Sequence, residues 1–124
     1  RIQIIDQDGL AMFPRGSSVM HVHTERLLEL VAQVIRRMPQ PVEIAGHTDA
    51  TPFTGSSGYT NWELSADRAN AARRALLQLG VGEARFSRVV GMAATTPLFP
   101  QDPKAPGNRR LSVLLLRTAP PPAT

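Results

Sequence analysis

The stretch VEIAGHTDATPFTGSSGYTNWELSADRA, residues 42–69, decides the fold, because it joins a short apolar strand to an amphipathic helix through a polar loop. The strand is predicted to end at Gly46. Thr60 with Glu63 fits a capping box, so the helix is predicted over residues 60–79. The apolar stripe of this helix, at spacings of three and four, comprises Trp62, Ala66, Ala69, Ala72, Leu76 and Leu79.

A strand and a helix are predicted before this stretch. Residues 1–5 alternate polar and apolar side chains, as a half-buried strand does, and residues 10–13 are interpreted as the return strand of a hairpin. Apolar residues at helical spacing predict a long helix over residues 19–38, capped by Ser17 or Ser18. The apolar residues that recur at this spacing are Leu27, Leu30, Val31, Val34 and Ile35.

Two further strands are predicted after it, over residues 84–90 and 109–117, separated by a long proline-containing loop. In the last strand Leu111, Val113 and Leu115 share one face. Two amphipathic helices against one sheet make a two-layer α/β sandwich. Residues 118–124, with three consecutive prolines, are predicted to be a flexible tail or linker.

Composition limits the class of protein. The length of 124 residues suits one domain, and 42% apolar against 19% charged residues is typical of a globular fold. The absence of cysteine excludes a disulfide scaffold and a cysteine-ligated metal site. A net charge of +4 permits acidic partners without selecting one. No apolar run approaches the ~20 residues of a membrane span, so any targeting or membrane segment is expected outside this sequence.

A carboxylate and a guanidinium are predicted to meet where the strand ends and the helix begins. Asp49 follows the strand, and on a helical wheel Arg68 lies beside Asn61 at the border of the apolar stripe. Asp49 can accept hydrogen bonds from an ammonium group, and Arg68 can bind a carboxylate through two parallel bonds. Together they suit a small zwitterion, such as an amino-acid head group. The alternative is that Asp49 and Arg68 pair with each other as a structural ion pair.

The histidines and serines allow two weaker interpretations. His21 and His23 invite a metal site, but nowhere do three ligands cluster at a recognisable spacing. A hydrolase would use His47 as base and Asp49 to orient it, although no nucleophile-elbow glycines surround a candidate serine. The candidate nucleophiles are Ser56, Ser57 and Ser65.

The arginines raise the possibility of a nucleic-acid-binding surface. Arg109 and Arg110 point to opposite faces if they belong to a strand, so one is expected in solvent and the other near the edge that carries Asp49. Neither an RNP-like nor a helix-turn-helix pattern supports a nucleic-acid interface. The arginines that would form such a surface are Arg85, Arg88, Arg109, Arg110 and Arg117.

Four motifs in the same order resemble the OmpA-like peptidoglycan-binding domain. They are Gly-His-Thr-Asp at 46–49, Asn-Trp-Glu-Leu-Ser-Ala-Asp-Arg-Ala at 61–69, Val-Gly-Met at 90–92 and Asn-Arg-Arg at 108–110. Within that family, Asp-Ala-Thr-Pro-Phe at 49–53 is similar to the periplasmic domains of flagellar stator subunits. The resemblance implies an α+β fold with a mixed sheet of about four strands, two long helices on one face and the order βαβαββ. The domain itself is expected over residues 19–117, after a strand and pre-domain segment at 1–18.

The resemblance also implies the ligand. Family members bind the peptide stem of peptidoglycan noncovalently through its diaminopimelate, whose ammonium would lie at Asp49 and whose carboxylate would lie at Arg68. We expect no catalytic residue, metal, cofactor or nucleic-acid partner. The wheel places Leu64 near the polar face, and the resemblance gives it a use as a wall of the pocket. The residues implied to line or support the site are Thr48, Asn61, Leu64, Ser65 and Arg109.

The similarity to stator subunits implies the setting. It suggests a homodimeric periplasmic domain of an inner-membrane protein in a Gram-negative bacterium. A partner stator subunit would be reached through a membrane segment upstream of this sequence. The alternative is a general outer-membrane or lipoprotein wall anchor that has no link to motility.

Overall fold

Four strands and two long helices make up the part of the chain that the structure, a computed structural model, describes, namely residues 2–6, 11–52 and 58–116. The predicted order of strands and helices is confirmed. The elements are β1 (Ile2–Ile5), α1 (Val22–Arg37), β2 (Val42–His47), α2 (Asn61–Gln78), β3 (Phe86–Gly91) and β4 (Arg110–Leu115), with short 3-10 turns at Glu83–Arg85 and Pro106–Asn108.

The four strands form one mixed sheet in the order β1-β4-β2-β3. β2 runs parallel to β3 and antiparallel to β4, and β1 pairs antiparallel with β4. The last strand in sequence therefore lies inside the sheet and joins the first strand to the rest. The α+β class and the mixed four-stranded sheet are as predicted.

An apolar core lies between the two helices and one face of the sheet. As the predicted alternation requires, the strands contribute Ile4, Val42, Ile44, Leu111 and Val113 to it. Side chains at intervening positions, including Ala45 and Ser112, lie on the opposite face. The core members from the helices and loops are Met12, Phe13, Leu28, Val31, Ala32, Ile35, Ala69, Ala71, Ala72, Leu76 and Val81.

α1 begins later than predicted and turns a different face to the core. Its first residue is Val22, and Ser17 does not cap it, because the Ser17 Oγ accepts a hydrogen bond from the Val19 N–H at 3.0 Å instead. The helix buries Thr24, Leu28, Val31, Ala32 and Ile35. The prediction was wrong for Leu27, Leu30 and Val34, which are exposed.

The predicted return strand at residues 10–13 is also wrong where the structure describes it, at residues 11–13. β1 pairs with β4 instead, and residues 11–13 do not form a strand. Met12 and Phe13 are buried in the core, and the Met12 carbonyl accepts hydrogen bonds from the His21 N–H and the Thr24 hydroxyl. We call residues 11–21, which pack beneath the start of α1, the pre-helical segment.

α2 starts as predicted, but its buried face is rotated. The capping box is present, with Thr60 and Glu63 bonding reciprocally at the first turn. Trp62, predicted to be in the core, is 54% exposed, and Leu64, Ser65 and Arg68 are buried instead. None of the described helices combines the length and hydropathy needed to cross a bilayer. The predicted tail at 118–124 lies outside the described residues.

Candidate functional site

Two glycines allow the first turns of α2 to rest directly on the sheet. Gly46 of β2 faces Gly91 of β3 in the parallel pair. A Cβ at Gly46 would lie 2.1 Å from the Ser65 carbonyl oxygen, and one at Gly91 would lie 2.5 Å from the Ala66 nitrogen. Only glycine permits this close approach. The start of α2 is thereby held beside the end of β2, where Asp49 follows.

A cavity of about 400 Å³ opens at this edge of the molecule. It contains the two residues on which the zwitterion hypothesis depends, Asp49 and Arg68, and four of the other predicted site residues, Thr48, Asn61, Leu64 and Arg109. The remaining lining residues are Asp6, Ala11, Phe13, Arg15, Gly16, Thr51, Pro52 and Lys104.

Asp49 is held by a turn and by an arginine. One carboxylate oxygen accepts from the Thr51 N–H at 2.9 Å, and the other accepts from Nη1 of Arg109 at 2.5 Å. The side chain is almost fully buried. A carboxylate has about four acceptor positions, and these two hydrogen bonds use two of them.

Arg68 is fixed by the pre-helical segment. Its Nε donates to the Ser17 carbonyl at 2.8 Å, and its Nη2 donates to the Pro14 carbonyl at 3.2 Å. The guanidinium lies 4.8 Å from the centroid of the Phe13 ring, as in a cation–π contact. Burial lowers the pKa of Arg68, and the nearby carboxylate of Asp6 opposes this shift. The charge is therefore held in a fixed position at the wall of the cavity.

The alternative of a structural Asp49–Arg68 ion pair is wrong. Both side chains line the same cavity, but Asp49 pairs with Arg109 and Arg68 bonds to backbone carbonyls. The two opposite charges thus face one space without neutralising each other directly. This arrangement leaves both groups able to contact a ligand that carries an ammonium and a carboxylate.

The other predicted site residues divide into lining and supporting positions. Leu64, which the helical wheel left without a role, is buried against the cavity. Asn61 donates from its side-chain nitrogen to the Thr51 carbonyl at 3.0 Å and so ties α2 to the loop after β2. Ser65 does not line the cavity. Its hydroxyl points elsewhere, since it donates to the Trp62 carbonyl and accepts from the Ala93 N–H.

Sequence reasoning missed Asp6 and the pre-helical segment as parts of the site. Asp6 is not among the predicted site residues, yet its carboxylate accepts from Arg109 Nε at 2.8 Å and is buried. Burial acts to lower the pKa of Arg109, but the hydrogen bonds that Arg109 donates to Asp6 and Asp49 outweigh it and raise the pKa. Asn108 was likewise unassigned, and it anchors the loop before β4 through bonds to Phe99 and Asp102.

The hydrolase and metal interpretations find no assembled site. His47 lines a second cavity, of about 180 Å³, on the opposite sheet face, so it does not act with Asp49 in one space. Ser65 is fully buried, and Ser56 and Ser57 lie outside the described residues. Over residues 2–6, 11–52 and 58–116, no group of three histidine or acidic side chains is placed to hold a metal ion.

The arginines proposed for a nucleic-acid surface are dispersed. Arg85 donates to backbone carbonyls at the end of α1, and Arg88 pairs with Glu43 at 2.9 Å. Arg109 lies in the main cavity, whereas Arg110 lines the second cavity and donates to the Thr96 carbonyl. Arg117 lies outside the described residues. The four described arginines therefore do not form one surface.

Comparisons with known proteins place this geometry in context. The model of the OmpA family matches residues 12–110. Motility protein B of Escherichia coli is 45% identical over 117 residues, which cover 94% of this chain but only 38% of that protein. The chain thus spans little more than a third of this relative's length.

Solved structures give the same fold. A MotB-like protein from Desulfovibrio vulgaris has a TM-score of 0.77 and 28% identity, covering 96% of this chain and 74% of that one. The periplasmic domain of Helicobacter pylori MotB has a TM-score of 0.76 at 22% identity, covering 90% of this chain and 78% of that one.

Proposed function

The chain belongs to the OmpA family, and from this membership we propose that it binds peptidoglycan noncovalently and anchors a flagellar stator to the cell wall. The observation that carries the proposal is the cavity in which Asp49 and Arg68 lie as separate, opposite charges. The link to motility rests on the 45% identity to Motility protein B of E. coli.

The ligand we propose is the diaminopimelate of the peptide stem. Its side chain ends in an ammonium and a carboxylate on one carbon, so it presents both charges at one tip. Asp49 would accept from the ammonium through its open acceptor positions. Arg68 would donate to the carboxylate through its terminal nitrogens, since Nε and only one N–H of Nη2 already bond to backbone carbonyls.

Other side chains support this tip in the proposal. Leu64 would pack against the methylene groups. Thr48 and Asn61 hold the loop that carries Asp49, the first through a backbone and the second through a side-chain hydrogen bond. Ser65 would act indirectly, by fixing the start of α2 to residue 93. Arg109 would orient Asp49. No step of covalent chemistry, and no metal or cofactor, enters the proposal.

The setting is also part of the proposal, because the chain spans only 38% of its E. coli relative. We infer a periplasmic domain of an inner-membrane-anchored stator protein. It would work as a homodimer together with a partner stator subunit. A wall anchor without a motility role would use the same cavity, so measurement of peptidoglycan binding tests the stator anchor and the general wall anchor alike.

The test measures how much of the Asp49→Asn and Arg68→Gln variants cosediments with purified sacculi, compared with wild type. Each variant removes one charge that would meet the ligand, so we expect each to weaken binding by at least about 30-fold. Glu83→Gln and Arg74→Gln are matched controls, because both residues are exposed and lie outside the cavity lining. Thermal unfolding of each variant shows that it is folded at the assay temperature.

Soluble stems identify the ligand in the same assay. A stem that contains diaminopimelate should displace the domain from sacculi, and a stem that contains lysine should displace it less well. Lysine lacks the second carboxylate that Arg68 would bind. Wild-type binding by the folded Asp49→Asn variant, or equal competition by the two stems, contradicts the proposal.

A further inference from the structure

Arg109 lies between two buried carboxylates at the base of the main cavity. Its Nε donates to Asp6 at 2.8 Å and its Nη1 donates to Asp49 at 2.5 Å. Asp6 follows β1 and precedes residues 12–110, the part of the chain that the family model matches. The second acid on this guanidinium therefore comes from outside the matched region.

Asp6 is held by the sheet and does not depend on a ligand for its position. Its backbone N–H donates to the Arg109 carbonyl at 3.0 Å, which continues the β1–β4 pairing by one residue. Its second carboxylate oxygen accepts from the Met12 N–H at 2.8 Å. Both oxygens are thus engaged by the protein, and the side chain is 5% exposed.

The charges within this group do not cancel. One guanidinium shared by two carboxylates leaves a net charge of −1 over Asp6, Arg109 and Asp49. Without Asp6, Asp49 and Arg109 would be a neutral pair, and the attraction of Asp49 for a cation would be offset by the adjacent guanidinium. In a partly buried cavity such a difference in net charge is poorly screened.

We propose that Asp6 is a positioning residue for ligand binding, which neutralises Arg109 so that Asp49 offers a net negative charge to the ligand's ammonium group. This inference rests on the proposed function. It adds β1 to the binding site as the element that sets the charge of the acceptor. The same carboxylate lies close enough to Arg68 to counter the effect of burial on that guanidinium.

The test compares Asp6→Asn with wild type on two soluble ligands, measured by calorimetry. One ligand is the diaminopimelate stem, and the other is the same stem with the terminal amino group acetylated. Asparagine keeps the shape and an acceptor for the Met12 N–H but removes the charge. We expect Asp6→Asn to weaken binding of the free-amine stem by roughly tenfold or more and binding of the acetylated stem by less than about twofold.

Further variants separate charge from structure. Asp6→Glu should recover part of the affinity, because it restores the carboxylate. In an Arg109→Gln background, Asp6→Asn should have a smaller effect than in wild type, since no guanidinium remains to be neutralised. This double variant also leaves no half-buried guanidinium without a partner. Glu83→Gln is the control for loss of one negative charge at an exposed site.

The outcomes are distinguishable. If wild type fails to bind the free-amine stem, the proposed function itself is overturned. If wild type binds and Asp49→Asn abolishes binding while Asp6→Asn does not change it, only the role of Asp6 is overturned. Equal weakening of both stems by Asp6→Asn, with a lowered thermal transition, also overturns it, because that pattern indicates a purely structural residue.

Discussion

At the scale of single residues, the site depends on two glycines that carry no chemistry. Gly46 and Gly91 face each other across β2 and β3, and α2 lies on them through the backbone of residues 65 and 66. At both positions the nearest atom belongs to the backbone, which cannot move aside as a flexible side chain can. A methyl group at either position must therefore push α2 away from the sheet.

We predict that Gly46→Ala destabilises the fold by about 3 kcal/mol or more, since its Cβ would fall 2.1 Å from the Ser65 carbonyl oxygen. Urea unfolding followed by circular dichroism measures this. Gly82→Ala is the matched control, because no atom lies within 4 Å of a Cβ there and its φ of −66° suits alanine. Unfolding of Gly46→Ala at the same midpoint as Gly82→Ala would contradict the close approach.

The sequence allows some of these residues to be predicted and hides others. Asp49 and Arg68 could be placed near each other because a strand end and the next helix start usually meet at one edge. Asp6 could not, since it lies 103 residues from Arg109 and meets it only through the β1–β4 pairing. Local turn composition around Asp6 gave no sign of that long-range contact.

At the scale of elements, helix faces were harder to predict than helix positions. The apolar residues of α1 occupy more of the helix circumference than the core covers. Periodicity alone therefore could not separate the buried Leu28 and Ile35 from the exposed Leu27 and Leu30. In α2 the glycine contacts turn Ser65 toward the sheet and leave Trp62 in solvent. The capping box of α2, whose interactions are local, was predictable from Thr60 and Glu63, whereas the serine cap predicted for α1 is absent.

The capping box predicts a pH dependence for the stability of α2. Hydrogen bonds from Thr60 lower the pKa of Glu63 below its ordinary value of 4.5. The carboxylate therefore contributes stability that is fully present above pH 4.5 and is lost as the pH falls through its lower value in the folded state. Urea unfolding between pH 3 and 7 measures the effect, with the fluorescence of the single tryptophan as a second probe.

Glu63→Gln is the control for this titration, because glutamine retains an acceptor for the capping box but does not ionise. The other carboxyl groups titrate in both proteins and cancel in the comparison. We expect the difference in free energy of unfolding between wild type and Glu63→Gln to be constant above pH 4.5 and to shrink below it. Parallel curves over the whole range would show that the charge of Glu63 contributes nothing to the cap.

At the scale of the whole molecule, the cavity is a product of topology. Its walls come from the residue after β1, the pre-helical segment, the loop after β2, α2 and the loop before β4. The order of elements along the chain was predictable. The order of strands in the sheet was not, because β4, the last strand in sequence, pairs between β1 and β2, and nothing in its own sequence specifies those partners. The motif residues could therefore be identified from the sequence, whereas the other charged side chains of the cavity, such as Asp6, could be identified only from the fold.

The distribution of charge over the molecule predicts how binding responds to salt. The chain carries +4, but the described arginines of the nucleic-acid hypothesis are tied separately to Glu43, Asp6, Asp49 or backbone carbonyls. A ligand tip with one ammonium and one carboxylate has no net charge, so its long-range attraction to the domain is small. The contacts that we propose for it with Asp49 and Arg68 would lie in a partly buried cavity, where salt screens charges weakly.

We therefore expect the affinity for the diaminopimelate stem to change by less than about threefold between 50 and 200 mM salt. A nucleic-acid-binding surface behaves differently, because each phosphate contact releases counterions. Six to ten such contacts lose roughly 10³–10⁵-fold in affinity over the same interval. Calorimetry with the stem, and fluorescence anisotropy with labelled duplex DNA as the comparison, measure the two slopes. A steep slope for the stem would show that a diffuse basic surface, and not the paired charges of the cavity, holds the ligand.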